Sequence, residues 1–180
     1  MKIAIAVLAA ALTPVWAQDI KLPSNLERLA AKARESVTVT MDKSMLRLAG
    51  RFLSDKNDEA KTKSVMAGLD AVSVWSFEFD REGEYDTAEL DAVRAQLQAP
   101  AWSRIVGVKS QSGENVDVYF KAAANGQLGG IVVIAAEPAE LTIVNVTGTL
   151  DPAQLADLGG QFHIPRLRMS DMIWGGKGLK

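Results

Sequence analysis

Two strongly apolar segments, Ile131 to Ala136 and Leu141 to Val146, lie almost back to back inside the stretch Leu128 to Gly148. Both are rich in the branched residues that suit a pleated surface, and Glu137-Pro138-Ala139-Glu140 between them has turn composition. The stretch therefore predicts two central sheet strands joined by a turn. The rest of the chain has to be built around them.

A chain of 180 residues with 48% hydrophobic and 23% charged residues can bury one sizeable core, which implies a single domain. Its formal charge of -2 supplies no clustered cationic surface, so nucleic acid is not an expected partner. Met1 to Ala17 carries Lys2, an apolar run from Ile3 to Leu12 and small residues at the end, the pattern of a secretory signal peptide. The expected organisation is a signal peptide over 1–17, one domain over 18–165 and a flexible or strap-like tail over 166–180. Export leads to the periplasm or the outside of the cell. Cysteine is absent, so a disulfide scaffold, a thiolate nucleophile and a lipidated cysteine anchor are not expected.

Taken in order, Ser24 and Glu27 form a capping box for a first helix with Leu26, Leu29, Ala30 and Ala33 on one face. Val37, Val39 and Met41 alternate with polar residues as a short strand, and Asp42 is placed to cap a second helix. That helix carries an apolar stripe of Met45, Leu46, Ala49, Phe52 and Leu53. Ser54 to Lys63 reads as a solvated loop, followed by a short helix with Val65, Met66 and Leu69. A strand from Val72 to Phe79 then turns Trp75, Phe77 and Phe79 inward. Asp86 and Glu89 cap a helix that buries Leu90, Val93 and Leu97. Strands over 105–110 and 116–121 follow, the second alternating Val116, Val118 and Phe120 with Asp117, Tyr119 and Lys121. Asn125-Gly126 signals a two-residue turn into the opening hairpin. Asp151-Pro152 starts a last helix that Gly159-Gly160 ends. The fold class this implies is α+β: a two-layer sandwich with a mixed, mostly antiparallel sheet, a C-terminal four-strand meander and helices mainly on one face.

From Phe79 to Gly148 the chain resembles an uncharacterised bacterial envelope family, domain of unknown function forty-two fifty-two, whose members are often lipoproteins. The resemblance rests on Tyr85 with the acidic helix start after it, on Leu97 and Trp102, and on Val116-Asp117-Val118-Tyr119-Phe120-Lys121. It continues through Gly129-Gly130-Ile131-Val132-Val133-Ile134 and Glu137-Pro138 to Asn145-Val146 and Gly148. It implies an envelope protein and supplies no catalytic residue. The missing cysteine is a departure from the lipoprotein members.

Three features are candidates for chemistry. Glu78, Asp80, Glu82, Glu84 and Asp86 place carboxylates at alternate positions, the kind of oxygen cluster calcium takes, but the order of a calcium-binding helix-loop-helix is absent: counted from Asp80, its glycine position holds Tyr85 and its closing glutamate position holds Asp91. Period-2 spacing at a solvated strand end, followed by a helix cap, explains the same residues and is the expected reading. His163 sits among Phe162, Ile164 and Pro165 without the signature of a hydrolase elbow or zinc helix. The tail brings Met172, Ile173 and Trp174 beside Lys177, a cluster suited to docking an envelope protein or touching an anionic membrane surface. The expected function is a non-catalytic binding or interaction module without metal or cofactor. The rival reading is a hydrolase using the 78–86 carboxylates, with Glu82, Glu84 or His163 converging in a pocket.

Overall fold

The computed structural model describes residues 20, 21 and 24–151. The expectations for the leader, for the helix after Asp151, for His163 and for Met172, Ile173, Trp174 and Lys177 fall outside those residues. In chain order the elements are α1 (Ser24–Lys32), β1 (Glu35–Asp42), α2 (Lys43–Gly50), α3 (Asn57–Gly68), β2 (Leu69–Glu78), α4 (Asp91–Arg94), β3 (Trp102–Lys109), β4 (Asn115–Ala122), β5 (Leu128–Glu137) and β6 (Glu140–Leu150). A 3-10 turn, Thr87–Leu90, leads directly into α4.

The strands form one open sheet in the order β1-β2-β6-β5-β4-β3. The expected α+β class holds, and β3 to β6 form the expected meander. Every pairing is antiparallel, so the mixed sheet resolves to a purely antiparallel one. The β1-β2 hairpin joins the meander through β2 and β6, which pair from Leu69↔Gly148 to Glu78↔Glu140.

One face of the sheet is closed. Phe77 of β2, Tyr119 of β4, Val132, Ile134 and Ala136 of β5, and Leu141 and Ile143 of β6 are buried there. They meet Leu26 and Leu29 of α1, together with Leu90, Val93, Leu97 and Trp102. Of the helical stripe Leu26 and Leu29 are buried, Ala33 is half-buried and Ala30 is exposed, and the Trp75/Phe77/Phe79 alternation falls where its period places it. The Phe79 and Tyr85 rings stack at 5.1 Å, joining the end of β2 to the connection that crosses this face. Asp86 accepts from Ala88 N–H at 2.8 Å and Asp42 from Ser44 and Met45, so both expected caps form. Hydrogen bonds from Ser44 and then Met45 hold the Asp42 carboxyl below its ordinary range.

Among the described residues the other face is roofed at one end only. There Leu46 of α2 and Met66 of α3 pack with Met41, Leu69, Val72, Ile131, Val146 and Leu150. Three local expectations change. The segment expected to be a loop is helical from Asn57, because its alanine and long unbranched side chains favour helix and Met66 gives it a seat on the sheet. Of the α2 stripe, Leu46 is buried while Met45 and Phe52 are exposed, Phe52 at 83%. The Asn125-Gly126 signal lies inside a longer connection, in which Ala123 N–H bonds Gln127 C=O and a 3-10 turn intervenes.

Gly130 on β5 is where the closed face leaves no room for a side chain. A Cβ there would lie 3.1 Å from Trp102 Cη2 and 3.1 Å from Val146 O. The indole lies across this gap with the Lys121 ammonium 5.8 Å from its ring centroid. Gly130→Ala is therefore expected to destabilise the fold by about 1–2 kcal/mol through overpacking, read by urea denaturation followed through tryptophan fluorescence. Unchanged stability would show that Trp102 yields without cost.

Candidate functional site

The partly open face of the sheet is built from cross-strand rungs set by register. One rung runs through all six strands and consists of valine at every position: Val39, Val74, Val144, Val133, Val118 and Val106. The rung on one side contains Val37, Ser76, Thr142, Ala135, Val116 and Val108. Its two hydroxyls bond each other at 3.0 Å, so they do not interrupt the apolar surface with unsatisfied groups. On the other side lie Met41, Val72, Val146, Ile131 and Phe120, toward the α2–α3 roof. Val37 and Val39 are exposed at 42% and 38%, and the inner valines of the central rung are half-buried. Six strands at about 4.8 Å and two rungs at about 6.8 Å give roughly 400 Å² of continuous apolar surface. A patch of that size matches the largest apolar patch on a typical soluble monomer, and such patches are often functional.

At the end away from the roof the same register lines up carboxylates. Glu35 opposes Glu78, Glu78 opposes Glu140, and Glu140 opposes Glu137. One step beyond Asn115↔Ala136 on the β4–β5 ladder brings Glu114 beside Glu137. Like charges directly opposed across strands repel. Arg34 pairs with Glu78 and reaches Asp80 at 3.6 Å. Glu35, Glu114 and Glu137 have no cationic partner among the described residues. Burial, then the charges of Glu140 and Glu114, push the Glu137 carboxyl above its ordinary range.

The closed face has a polar groove at its β3–β4 margin, about 340 Å³, lined by Thr87, Arg94, Arg104, Lys109, Asn115 and Asp117. Asp117 is buried and held from two sides. Arg94 Nε and Nη2 each donate to Oδ2 at 3.2 Å, and Arg104 Nη1 donates to Oδ1 at 3.1 Å. Gly107 makes room for this, since a Cβ there would lie 2.7 Å from Arg104 Nη2. Sequence reading misses this cluster, because the elements supplying its charges are distant along the chain.

The sequence-predicted carboxylates do not converge. Glu78 and Asp80 turn to Arg34, Glu84 pairs with Arg81 at 3.1 Å, Asp86 caps a helical turn, and Glu82 borders an open depression with Tyr85, Gly113 and Pro138. Among the described residues no group of three or more acidic or histidine side chains is placed to hold a metal ion. Tyr85 serves the structure, since its hydroxyl donates to the backbone carbonyls of Glu137 and Glu140 at the mouth of the β5–β6 turn. Asn145 Oδ1, buried on β6, has no hydrogen-bond partner among the described residues.

This architecture defines an α+β domain that closes one sheet face around a core and leaves much of the other uncovered by the described residues. A family model described as Domain of unknown function (DUF4252) matches residues 31–158. The match spans 128 of the 180 residues and all six strands, and the chain belongs to that family. Comparison with curated proteins and with solved structures gives no match.

Two expectations follow from the polar contacts. Arg94→Met should cost about 2 kcal/mol, because it strips a buried carboxylate of its better-buried, doubly bonded partner, while Arg104→Met, removing a more exposed guanidinium, should cost under about 1 kcal/mol. Equal losses in chemical denaturation would contradict the unequal roles. Tyr85 is pushed up to about 12 by burial first and then by Glu137 and Glu140. The unfolded phenol ionises near 10 while the folded one keeps its proton, so this contribution is full below pH 10 and is lost as pH rises toward 12. Tyr85→Phe should flatten that alkaline fall while lowering neutral-pH stability by about 1 kcal/mol through the lost hydrogen bonds.

Proposed function

We propose that the chain is an exported interaction module of the bacterial envelope that acts by non-covalent contact, with the open sheet face as its working surface. The observation that carries this reading is the six-valine rung, with only aliphatic and mutually bonded hydroxyl side chains on its acidic side. Such an array suits a contact surface, since the largest apolar patch of a soluble protein is often its functional one. Export is supported by the leader pattern of Met1 to Ala17. Among the described residues no helix is long and apolar enough to cross a membrane. The Met172-Ile173-Trp174 cluster with Lys177 is proposed as a second, subsidiary contact to an envelope protein or an anionic membrane surface.

Site-specific photo-crosslinking in intact cells tests the working surface. A photoreactive residue at Val118 or Val133 should give discrete adducts, and one at Lys109, on the opposite side of the sheet, should not. Adducts absent from both valine positions, or equally abundant at Lys109, would refute the reading.

A further inference from the structure

We infer that the partner fitting the open face is a second copy of this chain, turned end for end so that two sheets stack face to face. This rests on the reading of that face as a contact surface and names its occupant. The row of Glu35, Glu78, Glu140 and Glu137 lies at one end of the open face, and α2 and α3 roof the other. Arg47 on α2 and Arg51, its C-cap residue, are exposed and their guanidiniums have no carboxylate partner among the described residues, as Glu35, Glu114 and Glu137 have no cationic one. Within one copy these groups are separated by the length of the face. A two-fold axis lying between the two sheets and running across the strands brings the carboxylates of each copy to the arginines of the other, and does so twice.

Packed sheets lie about 10 Å apart, and a helix lying on a sheet fills a layer of about the same thickness. The α2–α3 pair of one copy therefore occupies the same layer as its partner's sheet and abuts the partner's acidic end. The central valine rungs of the two copies meet, as inner faces do in a sandwich. The uncovered rungs contribute roughly 400 Å² per copy. The glutamate row and the flank of α2 bring this toward the roughly 600 Å² per partner at the lower end of specific interfaces.

The test uses charge reversal on the full exported chain and reads mass by analytical ultracentrifugation at tens of micromolar. Wild type should be a dimer that weakens at least several-fold between low and high salt. Arg47→Glu with Arg51→Glu should be monomeric, and so should Glu137→Lys with Glu140→Lys. Mixed in equal amounts, the two variants should form a heterodimer, because one contact then has the native charges and the other has both charges reversed, so both are complementary. All these positions are exposed or at the rim, and circular dichroism of each variant checks that it is folded. A monomeric wild type overturns the inference. So do variants that stay dimeric, a mixture that stays monomeric, and a dimer that appears only after residues 166–180 are removed, which would give the face to the chain's own tail. Photo-crosslinks from Val118 or Val133 to a different protein, with a monomeric wild type, would retain the contact surface and reject the second copy.

Discussion

The register in which β6 lies between β2 and β5 governs what each side of this molecule presents. Side chains alternate along a strand, so a slip of one residue in either pairing would carry Leu141 and Ile143 out of the core and bring Thr142 and Val144 in. The observed register sends the larger residues toward α1 and the branched, smaller ones to the open face. Tyr85 fixes the turn that begins β6 by bonding the carbonyls on both sides of it. The connection between β2 and α4 thus acts at a distance in sequence on the centre of the sheet.

Much of this is legible from local rules. The central hairpin, the Asp42 and Asp86 caps, the α1 stripe and the inward aromatic face of β2 each follow from one period or one capping pattern. What local rules misread shares a cause. The helix over Asn57–Gly68 is polar for its first two turns, so its seat on the sheet through Met66 is invisible in a search for an apolar stripe. Phe52 has the spacing of a core residue, yet nothing among the described residues comes to cover it.

The candidate site is less legible than the fold, because it exists across strands and not along them. Alternating carboxylates over 78–86 run along one segment and scatter to separate roles. The carboxylates that do assemble come from β1, β2, β5 and β6, brought together by pairing. The valine rung is equally hidden: each of its residues is an ordinary strand valine, and only the sheet order makes them a row. Family membership extends over the whole sheet without adding a reaction, so the physical character of the two faces is what informs function.

The buried carboxylate of Asp117 has an effect beyond its own hydrogen bonds. In β4 the side with Val116, Val118 and Phe120 is more apolar than the side with Asp117, Tyr119 and Lys121, and simple partition would turn the valines to the core. The guanidiniums of Arg94 and Arg104 receive the aspartate on the closed side, where Tyr119 also packs. The ionic clamp therefore offsets part of the cost of turning this charge inward, and the valines of the same strand face outward under the register of its neighbours. Loss of Arg94 would penalise that arrangement, linking a contact on one side of the sheet to the texture of the other.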